Sequence, residues 1–191
     1  MHGKASAGRG LSRRDVLEGG VASFLALLAP EVLIVARARA ATDPRTPLVD
    51  RLCDLVIPPT DTPGAAEAGA GAFVLLAIDH RVAGLDDTVL SRVSRALDAA
   101  AGGSFLQAAP ARQAALLTEL DQKAFAQAPE PASPQQAWRA LKPAIVAGYY
   151  TSEIGASREL VYEPVPDSER SNFKLTPDFR ARSNEGFGGD L

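Results

Sequence analysis

The segment Ser133-Pro134-Gln135-Gln136-Ala137-Trp138 carries the clearest fold signal in this 191-residue chain. A serine accepts hydrogen bonds from free amides at a helix start, a proline fits the first helical position, and a glutamine three residues after the serine completes a capping box. Trp138, Leu141 and Ile145 continue at helical spacing. The segment therefore predicts a helix, in which we expect Pro143 to cause a kink or a break.

Helical patterns extend over most of the remaining chain. Apolar residues spaced i, i+1, i+4, i+7 and i+8 predict a helix from about Pro47 to Ile57, and the Pro58-Pro59 pair that follows would end it. Further apolar patterns predict helices over 73–82 and about 89–100, and another begins at Pro110. The expected buried face of that last helix consists of four large side chains: Leu116, Leu117, Leu120 and Phe125. The fold class is predicted to be all-α, a small irregular helical domain.

The first 40 residues predict an export signal. Arg13 and Arg14 precede the apolar run Val21–Ala29, and this order is typical of a twin-arginine signal, which sends folded proteins across a bacterial inner membrane. Small residues at Ala38 and Ala40 predict cleavage after Ala40. Two alternatives stay open: an ordinary cytosolic N-terminal helix, and an uncleaved signal that anchors the protein. The predicted location is the periplasm, and association with the inner membrane through the complex or an uncleaved signal stays open.

Three regions follow from these patterns: the signal at 1–40, a helical subunit domain at 41–161, and an extended, largely unstructured tail at 162–191. The tail lacks periodicity but contains isolated aromatic residues, which a fully solvated tail would not need. We expect it to wrap a partner protein.

Composition narrows the range of partners. The chain has 20 Lys and Arg residues against 23 Asp and Glu residues, and six of the basic residues lie in the signal. The acidic remainder disfavours nucleic acid as a partner, since nucleic acids select clustered Lys and Arg. Cys53 is the only cysteine, so the chain has no internal disulfide and no C-x-x-C-H haem site.

The sequence contains no nucleotide-binding loop and no nucleophile or metalloprotease motif. We predict no cofactor in this chain. His80 is the one histidine outside the first two residues. A small enzyme would have to use His80 with Asp61 or Glu67, and this alternative requires the groups to share a pocket. A second alternative is a free periplasmic ligand-binding protein with an enclosed apolar cavity.

Two segments resemble the gluconate 2-dehydrogenase subunit 3 family. The first is Leu55–Gly69 (LVIPPTDTPGAAEAG), followed by an apolar helix, and the second is Gly148–Gly155 (GYYTSEIG). The twin-arginine signal is also typical of that family. The resemblance implies a noncatalytic small subunit of a membrane-associated or periplasmic flavin-dependent sugar or glycoside dehydrogenase.

In such complexes a large flavoprotein of the glucose-methanol-choline type holds FAD, and a c-type cytochrome with haem accepts the electrons. The small subunit binds and stabilises the flavoprotein and exports it through the twin-arginine translocase. Arg13 and Arg14 would serve export. Adjacent tyrosines point in different directions from a helix, so we expect one of Tyr149 and Tyr150 to face a partner. The predicted partner interface comprises Pro58, Pro59, Thr60, Asp61, Pro63, Gly64, Tyr149, Tyr150, Phe173, Phe179 and Phe187.

Overall fold

Helices dominate the computed structural model, which describes residue 38, residues 40–162 and residues 179–183. The α-helices are α1 (Thr46–Val56), α2 (Ala70–Asp79), α3 (Asp87–Ala101), α4 (Pro110–Ala126) and α5 (Pro134–Tyr150). Short 3₁₀ turns lie at Val82–Gly84 and Phe105–Gln107, and a π-helical turn lies at Gly155–Glu159. Strands β1 (Val161–Tyr162) and β2 (Arg182–Ser183) pair in parallel. The predicted all-α class is confirmed.

Helix α5 lies at the centre and packs against α2, α3 and α4. Its inward side chains Trp138, Leu141, Ile145 and Tyr149 are at most 1% exposed. Helix α2 is buried on all sides along Ala70–Ile78. This explains why the α2 sequence is apolar around its whole circumference rather than along one stripe.

The predicted helix boundaries agree with the structure to within two residues, except that α2 (Ala70–Asp79) begins and ends three residues before the predicted 73–82. Helix α1 ends at Val56, two residues before the first proline of the pair. At the start of α5 the Ser133 hydroxyl accepts a hydrogen bond from the Gln136 amide at 3.1 Å, as the capping pattern predicts. A kink or a break was expected at Pro143; the break does not occur, since α5 runs unbroken to Tyr150. Proline removes one backbone hydrogen bond there, and the buried residues on both sides of Pro143 hold the helix together.

The expected burial of Phe125 is wrong. Its side chain is 47% exposed, and the buried position on α4 belongs to Ala124, which is 0% exposed. The Phe125 ring instead lies beneath the Arg139 guanidinium at 5.4 Å and the Lys142 ammonium at 5.1 Å. Phe125 thus contributes a cation–π contact at the surface rather than core volume.

In the part of the chain that the structure describes, no helix is long and apolar enough to cross a membrane. Arg13, Arg14, Phe173 and Phe187 lie outside the described residues, as does most of the predicted tail. The described part of the tail joins the end of the helical domain, where the Val161 amide donates to the Ala181 carbonyl at 2.9 Å.

Candidate partner interface

The two family-like segments meet in space. The Tyr149 hydroxyl, at the end of α5, donates to the Pro63 carbonyl oxygen at 3.2 Å and lies 3.4 Å from the Thr62 hydroxyl oxygen. The Thr62 hydroxyl donates to the Glu159 carboxylate at 2.7 Å. We call this hydrogen-bonded assembly the turn–tyrosine unit; it comprises residues 57–65, 149–150 and 155–159.

Backbone hydrogen bonds close the turn within this unit. The Ala65 amide donates to the Ile57 carbonyl at 2.9 Å, and the Thr60 amide donates to the Thr62 carbonyl at 3.0 Å. Gly64 is required at its position, because a Cβ there would lie 2.8 Å from the backbone nitrogen of Pro59. The rigid prolines and these bonds fix the shape of the turn.

The C-terminal side of the unit is equally tight. The backbone of Gly155 approaches the Tyr149 carbonyl so closely that a Cβ on this glycine would lie 2.0 Å from the carbonyl oxygen. The Ser152 hydroxyl donates to the same carbonyl at 2.6 Å and accepts from the Gly155 amide at 3.0 Å. The second family-like segment therefore forms a closed turn that returns the chain toward Thr62.

The structure separates the predicted interface residues into a buried and an exposed group. Tyr149 is 1% exposed, Gly64 is buried and Pro63 is half-buried, so these residues hold the unit together. The exposed group comprises Pro58, Pro59, Thr60, Asp61, Tyr150 and Phe179. Tyr150 is 38% exposed, and its ring meets the Tyr149 ring edge-on with centroids 5.1 Å apart. One tyrosine of the pair thus packs inside while the other faces outward.

The model of the family described as Gluconate 2-dehydrogenase subunit 3 matches residues 43–166. The chain belongs to this family. Its membership supports the coarser part of the functional prediction, a small accessory subunit of a dehydrogenase complex. The match covers the whole helical body and the entire turn–tyrosine unit. No curated protein and no solved structure matches the chain.

Sequence patterns missed three residues of this gluconate 2-dehydrogenase subunit 3 chain. Glu159 joins the unit through Thr62, a contact between residues 97 positions apart. Val161 and Tyr162 follow it with side chains 44% and 45% exposed. The Val161–Tyr162 pair, which follows the second family-like segment, was the one sequence signal for an exposed apolar site here. A strand of two residues shows no periodicity, so no sequence pattern revealed it.

The structure does not bring His80 together with Asp61 or Glu67. His80 follows the C-terminal end of α2, whereas the turn containing Asp61 lies near its N-terminal end, about 15 Å away for a ten-residue helix. The surface groove beside His80 is lined by other residues: Arg45, Ile78, Asp79, Arg81, Asp86, Asp87 and Thr88. Among the described residues, no group of three or more His, Cys, Asp or Glu side chains could hold a metal ion.

Proposed function

We propose that this chain binds the FAD-dependent catalytic subunit of a periplasmic sugar or glycoside dehydrogenase, stabilises it and exports it through the twin-arginine pathway. The observation that carries the proposal is the turn–tyrosine unit. Both family-like segments contribute to it, and it presents the Pro58–Asp61 edge and Tyr150 outward from a rigid base. Rigid, exposed aromatic and proline side chains suit a protein interface because little side-chain entropy is lost on binding.

The distribution of exposed apolar side chains supports the same region of the chain. Six large apolar side chains are exposed in the described part of the chain, and four of them lie between residues 150 and 179: Tyr150, Val161, Tyr162 and Phe179. Pairing of β1 with β2 joins Val161 to the residues that follow Phe179. The Thr62–Glu159 hydrogen bond joins the chain just before Val161 to the turn. Exposed aromatic and apolar side chains of this kind are typical of protein interfaces.

In this proposal the flavin belongs to the partner, and a c-type cytochrome in the same complex takes its electrons. The small subunit supplies binding energy to the folded flavoprotein, which stabilises the flavoprotein by mass action. Arg13 and Arg14 supply the export signal for both chains.

The test of binding is a pulldown from the native cell envelope with a C-terminally tagged full-length chain. We expect a stoichiometric yellow partner of the size of a flavoprotein dehydrogenase, recognised by its visible flavin absorbance. The double variant Tyr150→Ala/Tyr162→Ala should lose at least nine-tenths of that flavin. Phe125→Ala is the matched control, because Phe125 is similarly exposed but lies on α4. A colourless monomeric product, or equal loss with the control, would contradict the proposal.

Export is tested separately with Arg13→Lys/Arg14→Lys. This variant should keep the complex intact but leave both subunits in the cytoplasm. Normal export of the lysine variant would disprove the export role and leave the binding role standing.

A further inference from the structure

The exposed residues Val161 and Tyr162 leave the helical domain through the π-helical turn. The Leu160 amide donates to the Gly155 carbonyl at 3.0 Å, which closes this turn, and β1 then packs chiefly against the turn and against β2. A pair of strands with two residues each has little stability of its own. The position of Val161 and Tyr162 relative to the helices therefore depends on the contacts that the π-helical turn makes.

Glu159, the last residue of that turn, makes the long-range contact. Its carboxylate accepts a hydrogen bond at 2.7 Å from the hydroxyl of Thr62, which lies 97 positions earlier in the sequence. Glu159 is half-buried and Thr62 is 9% exposed, so water competes with this bond less than it would at an open surface. A hydrogen bond to an ionised carboxylate is about twice as strong as one between neutral groups. The bond is therefore suited to fix the orientation of the segment that follows Glu159.

The other partners of Thr62 anchor this bond to the core. The Thr62 hydroxyl oxygen lies 3.4 Å from the Tyr149 hydroxyl, which donates to the Pro63 carbonyl at 3.2 Å. With the Tyr149 proton on Pro63, the Thr62 proton is directed to Glu159. Glu159 thus ends a chain of polar contacts that begins at the buried end of α5. Loss of its carboxylate would remove the charged acceptor of a buried hydroxyl.

We propose that Glu159 is a positioning residue for the partner interface. Its bond to Thr62 holds Val161 and Tyr162 in a fixed orientation relative to the Pro58–Asp61 edge, so that both parts engage the same flavoprotein. This inference rests on the proposed function and adds a residue that acts through its neighbours rather than by touching the partner. An interface whose parts are held in place before binding loses less conformational entropy on association. Loss of the bond should therefore weaken partner binding while α2 and α5 stay folded.

Hydrogen exchange in the purified full-length chain tests the local effect. In Thr62→Val and in Glu159→Ala, we expect exchange of the peptide 155–162 to become about fivefold faster, while exchange of peptides from α2 and α5 stays within about twofold of the wild type. Glu159→Gln keeps an acceptor oxygen for the Thr62 hydroxyl and should retain most of the protection. Unchanged exchange in both Thr62→Val and Glu159→Ala would overturn the proposal, as would equal acceleration throughout α2 and α5.

The flavin pulldown from the native cell envelope tests the effect on binding. Thr62→Val and Glu159→Ala should each recover about fivefold less flavin than the wild type, and the double variant should lose no more than either single variant, because both changes remove one bond. Losses that multiply in the double variant would show that the two side chains act separately and would overturn the proposal.

Glu130→Ala is the matched control, because Glu130 is an exposed carboxylate in the loop before α5, at the opposite end of that helix from Tyr149. Its flavin recovery should equal that of the wild type, and an equal loss there would contradict a specific role for Glu159. Full flavin recovery by Thr62→Val and Glu159→Ala would overturn the positioning role alone. Failure of the wild-type chain to recover flavin would instead contradict the proposed function itself.

Discussion

The Tyr149 hydroxyl donates a hydrogen bond to the Pro63 carbonyl oxygen across 86 positions of sequence. This bond joins the end of the central helix to a turn that has no regular secondary structure of its own. It explains why a tyrosine, rather than another large apolar residue, stands at a position that is 1% exposed. Without this donor the half-buried Pro63 carbonyl would lose hydration with no hydrogen bond in its place.

Removing that hydroxyl should destabilise the fold. We expect Tyr149→Phe to lower the free energy of unfolding by about 1–3 kcal/mol, because Pro63 loses its donor and Thr62 a polar neighbour. Urea denaturation followed by circular dichroism measures the change. Tyr150→Phe is the matched control, because that side chain is 38% exposed and its change should stay within about 0.5 kcal/mol. Equal losses in the two variants would contradict the role assigned to the buried hydroxyl.

Contact between α2 and α5 depends on a small residue at position 148. A Cβ on Gly148 would lie 2.8 Å from a ring carbon of Phe73 and 3.4 Å from the Ala70 Cα. We expect Gly148→Ala to destabilise the protein by about 1–3 kcal/mol through overpacking, since the helix-propensity gain of about 1 kcal/mol only partly offsets it. Thermal unfolding provides the measurement.

Gly103→Ala is the control for this substitution, because a Cβ at Gly103 would meet nothing within 4 Å. Its melting temperature should stay within about 2 °C of the wild type. A Gly148→Ala protein with an unchanged melting temperature would show that the two helices can move apart at little cost.

Sequence patterns predicted the helices well because each has a local cause. The proline pair after α1, the serine cap of α5 and the apolar stripes all act within a few residues. Phe125 failed because it lies one position beyond Ala124, about 100° around the helix from the buried stripe. Chemical type alone favoured the larger residue, whereas helix geometry placed the smaller one inside.

The candidate site was predictable only in part. Family-like segments identified the turn and the tyrosine pair, and helix geometry required the two tyrosines to diverge. The Thr62–Glu159 bond depends on residues distant in sequence, so no local pattern could reveal it. The same reason explains the separation of His80 from Asp61, which only the length and direction of α2 determine.

Cys53 should be unreactive in the folded protein. It is 0% exposed, and burial, reinforced by the charges of Asp50 and Asp54, raises the pKa of its thiol well above the usual range. A thiol reagent should label it only after unfolding in urea. The pKa of the Cys53 thiol is higher in the folded protein than in the unfolded chain. The contribution of the neutral, buried thiol to the free energy of unfolding is therefore complete below the unfolded pKa of about 8.5 and is lost progressively as pH rises above it.

The predicted loss of stability above that pH is about 1.4 kcal/mol per pH unit. Urea unfolding at pH 8, 9 and 10 measures it, and Cys53→Ala should reduce the slope while costing some packing energy. Rapid labelling of the native wild-type protein would contradict the burial.

Asp121 joins α4 to α5 through charge-assisted hydrogen bonds. Its carboxylate accepts from the Trp138 indole at 2.7 Å and from the Lys142 ammonium at 2.7 Å. Burial alone would raise the pKa of Asp121, but the hydrogen bonds from Lys142 and Trp138 outweigh it and lower the pKa. The stability that the Asp121 carboxylate contributes is therefore present above the unfolded pKa of about 3.9 and is lost as pH falls through the folded pKa.

We expect Asp121→Asn to lower the free energy of unfolding by about 1–2 kcal/mol at pH 7 and to weaken the pH dependence of stability below pH 4. Fluorescence of Trp138, the only tryptophan, reports the transition in urea at pH 7, 4 and 3. Glu119→Gln is the control, since its ion pair with Lys123 is exposed on α4 and its loss should change little. An unchanged acid dependence in Asp121→Asn would show that other carboxylates govern acid unfolding.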